Sequence, residues 1–249
     1  MEGAEPFSAT GGPDGVLVLH GFTGNPWSLR GVAEKLADAG YTVELPLLPG
    51  HGTALEDLVP MRWSDWSAAA EEHYATLVAS CARVAVVGLS MGGSLTCWLA
   101  ERHPEICGIV LINPFVEPPD DSFRDAVRQL RDSGTEIAPS IGSDIARPDV
   151  VEVTYEGTPL SAVLSLFEGI EDVALGLSEI RCPVLLFSSR EDHVVPSTSG
   201  DLVEASVGGP CERVWLERSY HVATLDYDRD EIEDRAVSFV TAVTAGAVP

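Results

Sequence analysis

A turn between a strand and a helix at Ser90 constrains the fold more than any other feature of the sequence. The apolar run at 84–87 is typical of a buried strand, and the Ala/Leu-rich run at 94–101 is typical of a helix. Between them lies GLSMG, residues 88–92, so a G-x-S-x-G motif falls at a strand-to-helix junction. There we expect the serine in a strained elbow above the sheet edge, flanked by glycines because a Cβ would crowd the turn. The alternative is an ordinary Gly/Ser loop before a helix.

The other apolar runs continue this alternation of strands and helices. Predicted strands lie at 16–19, 41–45, 83–87, 108–112, 183–188 and 213–216. Continuous apolar runs separated by helical segments are typical of strands buried on both faces. The sequence therefore predicts an α/β fold with a doubly wound, mostly parallel sheet. A chain of 249 residues fits one such domain, spanning 1–249, better than two.

Residues 115–180 interrupt the alternation. They contain no apolar run of the sheet type, whereas apolar residues recur at helical spacing at 123–130 and at 160–170. A Gly/Pro/Asp-rich loop at 133–149 separates the two stretches. An insertion of this length after the strand near residue 112 predicts a small helical cap over the carboxyl edge of the sheet, where such folds bind ligands. Ordinary helices packed on the flank of the sheet are the alternative.

The strongly acidic composition argues against several classes of function. With 15 Lys and Arg against 39 Asp and Glu, the formal net charge of −24 repels nucleic acid phosphates and anionic lipid headgroups. The five cysteines form no C-x-x-C pair, and we expect neither a metal site nor a cofactor. No apolar stretch approaches the ~20 residues that cross a bilayer, and residues 1–15 lack the features of a signal peptide. We therefore expect a cytoplasmic protein without nucleic acid partners or stable membrane insertion.

A nucleophilic serine at position 90 requires partners. Its hydroxyl reacts poorly near neutral pH unless a general base takes the proton and an acid orients that base. In doubly wound hydrolases the three residues follow in the order Ser, Asp or Glu, His. Of the six histidines, His221 alone follows the last predicted strand and is the candidate base, with a surface loop histidine as the alternative. Asp192 follows the strand at 183–188 and is the candidate acid, although its neighbour Glu191 could be mistaken for it.

Two backbone N–H groups are candidates for an oxyanion hole. The Met91 N–H comes directly after the nucleophile at a helix N-terminus, and the Phe22 N–H lies in the glycine-rich turn after the first predicted strand. With these groups, Ser90 would attack an ester carbonyl and His221 would protonate the departing alcohol. Water activated by His221 would then hydrolyse the acyl-enzyme.

Six short segments carry a resemblance to a known family. They are HGFTG at 20–24, LPGHGT at 48–53, GLSMGG at 88–93, IGSD at 141–144, EDHVVP at 191–196 and SYHVATLD at 219–226. Together they resemble the α/β-hydrolase superfamily, and more specifically bacterial monoacylglycerol lipases and related carboxylesterases. The likeness extends over residues 17–239, and its weakest part is the first half of the cap, 116–135.

The resemblance implies a substrate class and two further site residues. It implies the α/β-hydrolase fold, with a cap that lines an acyl tunnel, and a serine hydrolase that cleaves monoacylglycerols, or diacylglycerols, to fatty acid and glycerol. Glu152 matches the position that binds the glycerol hydroxyls, and Ile141 matches a cap residue near the ester. The residues by themselves make Glu152 one surface carboxylate among many. The substrate partner would be a small lipid ester, with transient contact of the cap on lipid surfaces.

Other functions fit the same residues. A broad-specificity short- or medium-chain carboxylesterase or a thioesterase would use the same triad. An acyltransferase would resolve the acyl-enzyme with an alcohol other than water. A ligand-binding or signalling protein could retain the triad without turnover.

Overall fold

The computed structural model describes residues 1–140 and 142–246. The strands are β1 Phe7–Ala9, β2 Asp14–Leu19, β3 Thr42–Leu45, β4 Arg83–Leu89, β5 Ile109–Ile112, β6 Ile137–Pro139, β7 Gly157–Pro159, β8 Val184–Ser189 and β9 Cys211–Leu216. The α-helices are α1 Arg30–Asp38, α2 Leu55–Leu58, α3 Trp63–Ser80, α4 Met91–Arg102, α5 Asp121–Asp132, α6 Leu160–Gly176, α7 Thr198–Ser206 and α8 Arg229–Thr244.

Seven strands form one sheet in the order β1-β3-β2-β4-β5-β8-β9. All neighbouring pairs are parallel except β1 with β3, which are antiparallel. The predicted doubly wound, mostly parallel sheet is therefore confirmed. The edge strand β1 was missed because its three residues, FSA, contain no apolar run.

Alternate residues of the central strands face two helical layers. In β2, Leu17 and Leu19 belong to the core cluster that includes residues of α3, α4 and α6. Val16 and Val18, which point to the opposite face, belong to the cluster that includes residues of α1 and α8. Both faces of the sheet are thus covered, which explains why its strands read as continuous apolar runs.

The segment between β5 and β8 has two parts with different packing. All 12 residues of α5 are at least partly exposed, whereas α6 contacts α3 and α4 and contributes its buried face to the core of the sheet. Between these helices, β6 and β7 form a separate two-stranded antiparallel sheet, which the sequence analysis did not predict. Each of these strands has only three residues and ends in proline, which leaves no periodic signal. The limits of a cap at 115 and 180 within one domain stay a prediction.

The carboxyl ends of the parallel strands define where a site can form. Phe22 follows β2, Ser90 follows β4, Asp192 follows β8 and His221 follows β9. Because these strands are parallel, all four residues lie at one edge of the sheet, where doubly wound folds bind ligands. Within the described ranges, no helix is long and apolar enough to cross a membrane.

The packing of α4 against β2 generates the first prediction. A Cβ on Gly92 would lie 1.9 Å from the carbonyl oxygen of Leu19, whereas one on Gly40, at φ +97°, would meet nothing within 4 Å. We expect Gly92→Ala to reduce the free energy of unfolding by about 3 kcal/mol or more, because backbone must move. Gly40→Ala should cost only the ~1–2 kcal/mol of a positive φ. Urea denaturation measures both values, and equal losses would contradict the close approach.

Candidate active site

Ser90 occupies a strained turn between β4 and α4. Its φ of 55° and ψ of −118° lie outside the regions that L-residues prefer. The turn is held by neighbouring backbone: the Ser90 N–H donates to Ile112 O at 3.1 Å, and Ser90 O accepts from the Phe115 N–H at 3.3 Å. A Cβ on Gly88 would lie 2.1 Å from Gly92 O. The glycines of the motif therefore have the structural role that the sequence indicated.

The structure joins His221 to Asp192. His221 Nδ1 donates to Asp192 Oδ2 at 2.8 Å, and both side chains are almost completely buried. The other oxygen, Asp192 Oδ1, accepts the N–H groups of Val194 at 2.9 Å and Val195 at 2.7 Å. Both carboxylate oxygens are thus occupied, and the His221 ring is held with its proton on Nδ1. His221 Nε2 faces the side of the ring away from the acid.

Opposing forces set the pKa of His221. Burial lowers this pKa because it disfavours the charged ring, but the carboxylates of Asp192, Glu152 and Asp144 raise it, and the net pKa is raised above the ordinary 6.5. The Asp192 contribution includes the hydrogen bond to Nδ1. The arrangement therefore favours an imidazole that can accept a proton, which is what a general base must do.

Ser90 and His221 line one cavity of about 360 Å³. Its polar lining also includes Asp144 and Glu152, and Gly21 and Phe22 border it beside Ser90. Most of the wall is apolar: Phe115, Phe123, Val127, Leu130, Leu160, Val163, Leu166, Phe167, Val194 and Val195. The structure thus brings the three predicted triad residues to the same place. No direct hydrogen bond links the Ser90 hydroxyl to His221 within the described residues.

The candidate oxyanion donors border the nucleophile. A Cβ on Gly21 would lie 3.4 Å from the Ser90 Cβ and 3.9 Å from its Oγ, so the turn before Phe22 passes directly beside Ser90. Met91 begins α4, where the first N–H groups of a helix have no partner within the helix. The placement of both N–H groups suits stabilisation of negative charge on an oxygen bound at Ser90.

Glu152 brings a carboxylate to the polar end of the cavity. Burial raises its pKa to about 7, against a lowering by His221. The Glu152 Oε1 lies so close to Gly24 that a Cβ on Gly24 would be 3.1 Å from it. Gly24 therefore leaves room for this carboxylate. The other residue that the resemblance selected, Ile141, lies outside the described residues, although Ser140 and Gly142 on either side of it line the cavity.

Asn113 is a site residue that the sequence analysis missed. It follows β5 with a φ of 43°, and its side-chain Nδ2 donates to His221 O at 2.8 Å. Its Oδ1 accepts the Ser189 N–H at 2.8 Å, at the start of the loop that carries Asp192. Asn113 thus ties the loops of the candidate acid and the candidate base together. Its position directly after a buried strand was the only available signal in the sequence.

Comparisons with known proteins place this geometry in a family. Residues 16–235 match the alpha/beta hydrolase family. The chain belongs to this family. It is 47% identical over 243 residues to the thermostable monoacylglycerol lipase of Bacillus sp. (strain H-257), covering 96% of this chain and 95% of that protein. It is 29% identical to a carboxylesterase of Bacillus subtilis (strain 168), over 95% and 96% of the two chains. The resemblance seen in the sequence is confirmed.

Solved structures agree with the alpha/beta hydrolase assignment. A structure described with LipS and LipT, two metagenome-derived lipolytic enzymes, superposes with a TM-score of 0.92 at 40% identity, covering 97% of this chain and 98% of that one. The Paleococcus ferrophilus monoacylglycerol lipase superposes with a TM-score of 0.75 at 19% identity, covering 96% and 99%, and so shares the fold.

Two buried histidines support the turn of this alpha/beta hydrolase that carries Phe22. His20 Nδ1 donates to Gly21 O at 2.9 Å, and its Nε2 accepts the Leu48 N–H at 3.1 Å. His51 Nδ1 donates to Pro49 O at 3.0 Å, and the His51 ring contacts the rings of His20 and Phe22. Burial lowers the pKa of His20 to about 3 and that of His51 to about 4. Both rings are therefore neutral structural groups.

The low pKa of His51 generates the second prediction. The unfolded chain protonates this histidine near 6.5 and the folded protein only near 4, so the folded state loses stability as the pH falls through this interval. Between pH 7 and pH 4.5, His51 should account for about 2–3 kcal/mol of the loss. In His51→Phe this part of the pH dependence should disappear. Denaturant unfolding at the two pH values measures the loss in each protein, and identical losses would contradict a neutral buried His51.

Proposed function

We propose that this alpha/beta hydrolase is a serine hydrolase that cleaves monoacylglycerols to fatty acid and glycerol. The observation that carries the proposal is a single cavity in which Ser90 and the His221 ring meet a long apolar wall and the carboxylate of Glu152. The wall suits an acyl chain, and the carboxylate suits the hydroxyl groups of glycerol. The 47% identity to a thermostable monoacylglycerol lipase over nearly the whole chain supports the same substrate class.

In the acylation step, Ser90 Oγ attacks the ester carbonyl carbon while His221 Nε2 accepts the hydroxyl proton. Asp192 keeps the other ring nitrogen protonated and stabilises the imidazolium that forms, a role whose loss costs ~10⁴ in turnover in enzymes of this type. The imidazolium form of His221 is stabilised by the same carboxylates that raise its pKa. When the tetrahedral intermediate collapses, the carbonyl–alkoxy bond breaks and His221 returns its proton to the departing glycerol oxygen.

The Phe22 and Met91 N–H groups would donate to the oxyanion in both tetrahedral intermediates. Removal of one such donor typically costs ~10²–10³ in turnover. In the deacylation step, water gives a proton to His221 and attacks the acyl carbon. The carbon–Oγ bond then breaks, Ser90 regains its proton from His221, and the fatty acid leaves.

Residues 115–180 would act as a cap within the single domain. Phe123, Val127 and Leu130 of α5 would hold the acyl chain against Phe167 of α6. Ile141 would lie near the ester, as the family resemblance implies. Phe123 and Leu130 are also 55% and 44% exposed, so the cap carries apolar side chains that reach solvent beside the cavity. Transient contact of this face with lipid aggregates would let a monoacylglycerol enter directly.

The third prediction tests the reaction itself. Wild-type protein should hydrolyse medium-chain monoacylglycerols with a higher kcat/KM than p-nitrophenyl acetate, because an acetyl group is too short to contact most of the apolar wall of the cavity. A fluorophosphonate probe should label wild type, and Ser90→Ala should show neither labelling nor hydrolysis. A panel of glycerides that differ in chain length and acyl number gives the specificity. Equal rates on glyceride and acetate would favour a broad carboxylesterase, which the Bacillus subtilis relative supports. Absence of labelling would favour a binding protein.

The fourth prediction concerns Glu152. Glu152→Gln should lower kcat/KM for a monoacylglycerol about 10-fold or more, because hydrogen bonds to a charged acceptor contribute ~1.5–3 kcal/mol. The ethyl ester of the same acid lacks the glycerol hydroxyls, so at a pH above the titration of His221 it should be hydrolysed at the wild-type rate. The wild-type preference for glyceride over ethyl ester should also rise as the pH increases through about 7, where Glu152 ionises. Because both substrates need the same His221, its titration affects both kcat/KM values equally and cancels from the ratio of glyceride to ethyl ester.

A matched control for this variant is Glu156→Gln, which changes an exposed carboxylate four residues along the same segment. It should leave both substrates unaffected. Equal losses on glyceride and ethyl ester in Glu152→Gln would show that Glu152 acts on His221 or on folding rather than on glycerol.

A further inference from the structure

Asp144, in the cap segment, receives three N–H donors from the two loops that carry the acid and the base. Its Oδ1 accepts His193 Nδ1 at 2.7 Å, and its Oδ2 accepts the backbone N–H of His193 at 3.1 Å and of His221 at 3.0 Å. The side chain is only 12% exposed. Hydrogen bonds to an ionised acceptor are short and strong, and those of a partly buried carboxylate are little weakened by water.

Asp144 contacts the backbone of His221 and the residue that follows Asp192. One bond goes to the His221 peptide itself, and two go to His193, the residue next to Asp192 in sequence. On its other side the His221 peptide is held by Asn113, so its N–H and its carbonyl are both fixed by side chains. The position of the catalytic peptide therefore depends on a residue contributed by the cap.

Further bonds fasten this part of the cap to the His221 loop. The Val222 N–H donates to Asp144 O at 3.1 Å. In the opposite direction, the Asp226 carboxylate accepts the N–H groups of Ala146 at 2.7 Å and Arg147 at 3.1 Å. Asp226 Oδ2 also accepts the Tyr220 N–H at 2.9 Å, directly before His221. Asp144 in the cap thus accepts hydrogen bonds from the loop that carries His221, and Asp226 in that loop accepts hydrogen bonds from the cap.

We propose that Asp144 is a positioning residue for the reaction, which makes the cap part of the catalytic scaffold as well as a wall of the substrate cavity. The proposal rests on the proposed function and adds a role to it: the cap holds the geometry of Asp192 and His221. A displacement of ~1 Å in such a geometry can cost ~10² in rate, so the loss of Asp144 should reduce turnover more than binding.

The charge of Asp144 predicts a shift in the pH profile of the reaction. A purely structural role for this residue would not produce such a shift. The titratable side chains around His221 are Asp192 from the loop after β8 and Glu152 and Asp144 from the cap, with His193 on the far side of Asp144. All three carboxylates raise the pKa of His221. Removing the Asp144 charge should therefore lower that pKa and move the acid limb of the kcat/KM profile to lower pH.

Two variants separate geometry from charge. Asp144→Asn can retain all three bonds if its Oδ1 accepts both backbone N–H groups and its Nδ2 donates to a neutral His193 ring. It therefore removes the charge alone. Asp144→Ala removes the bonds as well. Asp149→Asn and Asp149→Ala are the matched controls, because Asp149 is an exposed aspartate of the same segment that pairs with Arg147.

The test uses the full chain and the substrate that wild type hydrolyses. We expect Asp144→Ala to lower kcat ~10- to 100-fold with a change in KM below about 3-fold. Asp144→Asn should keep most of kcat at high pH, with its acid limb at lower pH by about half a unit or more. Both Asp149 variants should match wild type. Circular dichroism and thermal unfolding establish that each variant is folded, and if Asp144→Ala does not fold, the pH profile of Asp144→Asn decides.

Specific results would overturn the proposal. One is an acid limb in Asp144→Asn at the wild-type pH, and another is a kcat in folded Asp144→Ala equal to that of Asp149→Ala. Either result with an active wild type rejects the role of Asp144 and leaves the proposed function intact. A wild type without Ser90-dependent hydrolysis would reject both.

Discussion

The parallel pairing of β2 with β4 is the constraint on which the site depends. In this register Leu19 lies opposite Gly88, so the turn after β2 and the elbow after β4 emerge side by side. Only because Gly92 has no side chain can α4 begin against the Leu19 carbonyl. The strained Ser90 and the Phe22 N–H are neighbours for this reason. A slip of one residue would turn every side chain of the strand to the opposite face and separate the two turns.

Three buried histidines of this structure have pKa values shifted in opposite directions. His20 and His51 lie in an aromatic cluster without a carboxylate partner, and burial lowers their pKa values to about 3 and 4. His221 is also buried, but it has Asp192 on one ring nitrogen and further carboxylates near it, which keep its pKa above the ordinary value. The same side chain is therefore an uncharged support in one place and a group suited to accept a proton in another, and the neighbouring charges make the difference.

The segment between β5 and β8 connects the lining of the cavity to the core of the sheet. Its helix α6 is packed into the core of the sheet, α5 forms an exposed cover, and the chain between the two helices brings Asp144 and Glu152 to the polar end of the cavity. Tyr155 adds a further link, because its hydroxyl donates to Gly50 O at 2.9 Å and accepts the Thr53 N–H at 3.0 Å. Displacement of this segment would therefore disturb the polar lining of the cavity and the loop at 50–53 together.

The sequence by itself determined the doubly wound sheet, the elbow at Ser90 and the candidates Asp192 and His221, because buried strands, glycine turns and the order of the triad leave local patterns. It did not determine β1 or the two-stranded sheet of β6 and β7, since strands of three residues are too short to show a hydrophobic periodicity. The roles of Asn113 and Asp144 were not predicted because they come from bonds to residues 108 and 77 positions away. Only the tertiary structure decides such contacts, since an isolated carboxylate or amide in a loop has no pattern that names its partner.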